Sequence, residues 1–192
     1  MVGKTTFDNG LRVVTERMES VRSVSVGVWV NVGSRDETLD QAGLSHLVEH
    51  MIFKGTARRT ALDIAKEIDS IGGLLNAFTS REQTCFHAKV MDNHLADITD
   101  LLTDIFLNSI FASEELKREQ EVVLQEIKMV EDSPDEHVHH LIPQTLWPGD
   151  PLGRPVLGRM ETVARSSSQG LKDYINQTYQ PDRIVIAASG RL

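Results

Sequence analysis

A chain of 192 residues, 40% hydrophobic and 25% charged, can close one globular domain around its own core without disulfide staples. A net charge of -8 gives it no surface suited to phosphates, which excludes nucleic acid as a partner. Cys85 is the single cysteine, so an intramolecular disulfide and a cysteine-built zinc site are excluded, and no apolar run has the length of a membrane span.

The first ten residues are polar, lack the apolar stretch of a signal peptide and contain Asp8, which a transit peptide avoids. The chain therefore reads as soluble and cytoplasmic. After the turn signal Asp8-Asn9-Gly10, Leu11 to Thr15 is a short strand candidate. Val24, Val26, Val28, Val30 and Val32 then alternate with Ser25, Gly27, Trp29 and Asn31, a period of two that puts a valine stripe on a core.

Leu44, Leu47, Val48, Met51 and Ile52 recur at helical spacing and predict a helix over about 42–53. A second helix starts at Thr60 as N-cap and stops near Ile71 at Gly72-Gly73. Residues 74–90 read as one or two strands, and residues 93–109 as a helix with an apolar stripe from Leu95 to Phe106. Ser113 is expected to cap a fourth helix that buries Leu116, Val123, Ile127 and Val130. Ser133-Pro134 ends it and opens another, which Pro143 is expected to kink or end. Residues 148–158 read as a Pro/Gly-rich loop, 169–178 as a helix and 184–188 as a buried strand. The mixed order of elements predicts an α+β fold, a two-layer α/β sandwich with a mixed, mostly antiparallel sheet.

The sharpest chemical signal is His46-Leu47-Val48-Glu49-His50. Histidines at i and i+4 stand one turn apart on one helix face, so both imidazoles reach one metal ion. Glu49 lies on the same side and can contact a water there without ligating the metal. Two imidazoles and a carboxylate, with a fourth position open to water, are a peptidase zinc set, and H-x-x-E-H is the inverted form of the zincin motif. A chain with 7 histidines and 28 acidic residues produces this pattern by chance about 0.04 times, so alone it is suggestive and not decisive. The bland alternative is a helix with two surface histidines and a salt-bridged glutamate. A third ligand is needed, and Glu119 and Glu126, two turns apart on one helix face, are both candidates that spacing leaves open. His137, His139 and His140 read as a surface cluster, and Cys85 as a buried strand residue.

Several runs together resemble the pitrilysin-type metallopeptidases, especially the β-subunit of the mitochondrial processing peptidase and its bacterial relatives. They are Asp8-Asn9-Gly10-Leu11, Gly43 to Thr56, Gly72-Gly73 with Asn76-Ala77-Phe78-Thr79, Arg118-Glu119 to Glu126-Ile127, Pro151 to Arg154 with Gly158, and Tyr179 to Asp182. The likeness covers nearly the whole chain. It implies a zinc endopeptidase acting on extended, unstructured peptides or presequence-like segments, with Zn2+ held by His46, His50 and Glu126. It also implies Glu49 as catalytic base and Glu119 as the supporting outer carboxylate. Asn76, Ala77, Phe78 and Thr79 would form the edge strand to which substrate adds, and Phe53 is expected to line the cleft unless it is simply core. The alternative is a non-catalytic partner or scaffold subunit of the same fold. Residues 1–192 are expected to be a single N-terminal catalytic domain of a longer chain whose second, related half lacks the zinc motif. The isolated fragment is expected to be weakly active or inactive, and to self-associate, for instance as a homodimer, through its uncovered inner face.

Overall fold

The valine stripe forms the central strand of the sheet. In a computed structural model that describes residues 2–192, Ser23–Val30 is a strand (β3) whose Val24, Val26, Val28 and Val30 are all buried. Two earlier strands, Val2–Thr6 (β1) and Arg12–Arg17 (β2), and three later ones, Leu74–Thr79 (β4), Thr84–Met91 (β5) and Ile184–Gly190 (β6), complete a sheet in the order β1-β2-β6-β3-β5-β4. Only β2 and β6 run parallel, and the other neighbours are antiparallel. Register aligns Val28 with Phe86 of β5 and Ile186 of β6, so the inward residues of three strands make one apolar face. The expected α+β architecture with a mixed, mostly antiparallel sheet is what the chain adopts.

Helices Leu44–Met51 (α1), Ala61–Ser70 (α2), Leu95–Asn108 (α3), Ser113–Asp132 (α4), Pro134–Leu146 (α5), Met160–Arg165 (α6) and Ser168–Thr178 (α7) follow in chain order. Leu47, Val48 and Met51 of α1, Ile98, Leu101 and Ile105 of α3, and Leu171 and Tyr174 of α7 join the valine face in one core. The other sheet face carries exposed Ser25 and Phe78 and half-buried Trp29 and His87. Trp29 and Phe78 both pair in register with Cys85 and meet at 5.6 Å. Cys85 is fully buried, and burial pushes its thiol up to about 12, which leaves it inert as expected.

The structure departs from the local reading at five places. Strand β1 was not anticipated, because Val-Gly-Lys-Thr-Thr is exposed throughout and carries no apolar alternation. Ala112, not Ser113, is the N-cap of α4, and Ser113 is its first residue, with its hydroxyl on Ser168 instead of a backbone N–H. Pro143 sits inside α5 without ending it. The helix continues to Leu146, and Pro143 still accepts a bond from Trp147 N–H. Helix α6 follows the Pro/Gly-rich loop unannounced, being too short to show a period. Finally, β6 is mostly half-buried, because the second side of the sheet stays open beneath it.

Candidate metal centre

Helix α1 begins in an unusual way. Its N-cap is Gly43 at φ +96°, a left-handed conformation that side chains resist, and glycine offers no capping oxygen. A Cβ on Gly43 would stand 2.8 Å from the Leu157 carbonyl oxygen, and one on Gly158 would stand 2.4 Å from that of Ala42. The two glycines thus let the 148–158 loop clasp the start of the helix. The missing cap comes from Glu37, whose carboxylate accepts from Gly43 N–H at 2.8 Å and Ser45 N–H at 2.7 Å. Arg154 donates to the Glu37 carbonyl, and Ser45 Oγ shares a 2.7 Å hydrogen bond with Tyr174 of α7. Burial pushes the Glu37 carboxyl up to about 7 despite its two backbone donors.

Helix α1 packs against α4, and this contact brings the chemistry together. Glu126 Oε2 lies 3.8 Å from His46 Nε2 and 3.7 Å from His50 Nε2. One donor atom from each of these three residues falls within 4.8 Å of the others, a spacing that one ion could bridge. Burial, with His50 beside it, pushes His46 down to about 4, so at neutral pH its imidazole carries a free lone pair. The donor set of two nitrogens and one carboxylate oxygen fits zinc. Glu126 is partly exposed, which leaves the centre open on one side.

Glu119, seven residues before Glu126 on α4, is buried and points elsewhere. Its Oε2 lies 3.0 Å from His50 Nδ1 and its Oε1 2.7 Å from Lys54 Nζ. Burial pushes Glu119 upward, but the Lys54 and His50 contacts outweigh it and hold the carboxyl below its ordinary range. Geometry thus separates the two glutamates: Glu126 faces both Nε2 atoms and Glu119 faces Nδ1 of one ring. Glu49 is drawn upward by burial, opposed first by Thr79, with Glu126 close enough to add to the rise.

Strand β4 is an edge strand. It pairs with β5 and, among the described residues, with nothing on its other side. Ala77 and Thr79 lie on the helix side, near α1, while Asn76 and Phe78 lie on the opposite face. Asn76 Oδ1 accepts from Ala77 N–H at 2.9 Å. Phe53 is half-buried and meets Phe86 edge-on at 6.4 Å, within the core. Sequence reasoning missed Glu37, which lies outside the motif helix, and Lys54, although its spacing of four from His50 was a usable signal.

Known proteins resemble this chain in sequence and in fold. Residues 12–159 match the family described as insulinase, peptidase family M16. The chain belongs to that family. A Bacillus subtilis protein named as a zinc protease is 46% identical over all 192 residues, which span 47% of its length. A probable β-subunit of the mitochondrial processing peptidase from Arabidopsis thaliana is 45% identical over 97% of this chain and 35% of its own. The chain thus spans under half the length of these M16 relatives. A Helicobacter pylori protease structure superposes with a TM-score of 0.94 at 25% identity, over the whole chain and 47% of that structure. A Pseudomonas fluorescens structure titled as an M16 inactive domain matches with a TM-score of 0.93 at 15% identity. The M16 fold is therefore shared by a domain so titled, and side chains, not fold, must carry any argument for activity.

Proposed function

We propose that this chain carries the catalytic zinc centre of an endopeptidase that hydrolyses extended, unstructured peptides. The observation that supports it most is the convergence of His46, His50 and Glu126 beside Glu49, next to the free edge of β4. Presequence-like segments are one such substrate class, a reading supported by the likeness to a relative named as a processing peptidase subunit. His46, His50 and Glu126 would hold a zinc ion, which when bound would supply Lewis acidity toward the scissile carbonyl and the attacking water. Peptide backbone pairs with the open side of β4, which gives affinity with little demand on sequence. Asn76 then gives up Ala77 N–H to the substrate. Glu49 takes a proton from the attacking water as the new C–O bond forms, and passes it to the amine as the C–N bond breaks. Its raised affinity for protons suits both transfers. Glu119 holds His50 from the outer side.

The relatives' length supports a catalytic N-terminal part that works with a further stretch of chain. The reading is tested on the full-length protein with a quenched extended peptide. Hydrolysis should stop on chelation and return with zinc, and Glu49→Gln should lower turnover by about 10²–10⁴-fold while zinc stays bound. Near-normal turnover in Glu49→Gln, or hydrolysis indifferent to chelator, would overturn it. The intact donor set speaks against the alternative of a non-catalytic scaffold.

A further inference from the structure

His46, His50 and Lys54 recur at four-residue intervals along α1 and the turn that follows it, so they form one row facing α4. Lys54 N–H bonds back to the Met51 carbonyl at 3.1 Å, which keeps this turn in line with the helix. Facing that row, α4 presents Glu126 and Glu119. Glu126 meets the two histidines, and Glu119 bridges His50 and Lys54. The Glu119 side chain is only 9% exposed, so a carboxylate there needs both of its oxygens satisfied.

A carboxylate can only accept, so the 3.0 Å contact calls for a proton on His50 Nδ1, and Nε2 is the ring nitrogen that faces Glu126. Among the described residues His46 has no such partner: its Nδ1 is buried without a hydrogen bond. The pair is therefore oriented from one side only, and that support runs through Glu119. What holds Glu119 in turn is Lys54, whose ammonium takes the oxygen that His50 does not use.

We propose that Lys54 is a positioning residue for the metal centre: by fixing one oxygen of Glu119 it keeps the other on His50 Nδ1, and so keeps the His50 ring turned with Nε2 aimed toward His46 and Glu126. This rests on the metal-site reading above. Its chemical signature is a sign. A lysine acting only as a nearby positive charge would repel a dication, so its removal would tighten zinc binding. A lysine acting through Glu119 does the opposite, because losing the outer support of a ligand costs affinity.

The test measures zinc affinity by chelator competition in the full-length protein for Lys54→Met, Lys54→Arg, Glu119→Gln and the double variant Lys54→Met/Glu119→Gln. Lys54→Met should weaken zinc by about 10–100-fold. Lys54→Arg, which keeps the cation, should recover most of that loss. In the Glu119→Gln background the methionine change should have no further effect, because the path it acts through is gone. Unchanged or tighter zinc in Lys54→Met, or an undiminished loss in the double variant, would overturn the proposal. A second readout needs no metal. The Nδ1–H proton of His50 should give a protected downfield NMR signal in the metal-free wild type and lose protection in Lys54→Met. An unaltered signal would also overturn it. If wild type took up no zinc, the functional reading would fail, while this NMR comparison would still decide the role of Lys54.

Discussion

Replacing Glu37 by glutamine should change how stability depends on pH, and by an amount the structure defines. Glu37 is 4% exposed, and burial lifts its carboxyl from an ordinary 4.5 to about 7. In the unfolded chain it titrates near 4.5. Between these two values the folded protein holds more protons than the unfolded one, so this group's contribution is complete below about pH 4.5. It is lost as pH rises to about 7, and is level above that. A tenfold difference in proton affinity is worth about 1.4 kcal/mol, so the whole step is about 3 kcal/mol. Glutamine has no such titration. It keeps one acceptor oxygen for Gly43 and Ser45 N–H and turns an amide toward the other, at a cost of about 1–3 kcal/mol. Glu37→Gln should therefore be less stable than wild type at pH 5, and the gap should close towards pH 8. Urea denaturation of the metal-free proteins at several pH values measures both curves. His46, pushed down to about 4, makes stability rise between about pH 4 and 6.5, but it does so in both proteins and cancels in the difference. Stability curves that run parallel from pH 5 to 8 would refute the assignment of Glu37 as a buried, proton-holding cap.

Two further outcomes follow from the same contacts. Glu119→Gln should retain the fold, seen by circular dichroism, and lower zinc affinity or peptide hydrolysis by about 10–100-fold, since it contacts His50 on Nδ1 and not Nε2. Gly158→Ala should cost more than the about 1–2 kcal/mol of a left-handed alanine, because its Cβ would also strike the Ala42 carbonyl; Gly149→Ala, equally left-handed but in open space, should cost only that amount in thermal or urea unfolding.

How far the sequence speaks for itself differs from element to element. The valine alternation of β3 and the stripes of α1 and α3 were readable because one face of each meets the core. Strand β1 was not, since it is exposed and held by backbone pairing to β2 alone. Helix α6 buries only Thr162 and Val163, too few to show a period. The metal motif was readable because both histidines and Glu49 share a single helix. Which of Glu119 and Glu126 faces both Nε2 atoms needed the packing of α4 on α1, although one clue was available. Glu119 falls three residues after Leu116 and four before Val123, on the buried stripe of α4, where a carboxylate must find partners. Glu37 was hidden by its distance from the helix it caps: its link to Gly43 and Ser45 crosses a loop, and no periodicity spans a loop.

The central claim is that His46, His50 and Glu126 hold a zinc ion. Elemental analysis of the full-length protein, purified without chelator, tests it most directly when wild type is set beside His50→Ala, Glu126→Gln and Glu119→Gln. About one zinc per chain is expected in wild type, with loss in His50→Ala and Glu126→Gln and retention at high protein concentration in Glu119→Gln. Full zinc in His50→Ala, or zinc kept by Glu126→Gln and lost by Glu119→Gln, would contradict it.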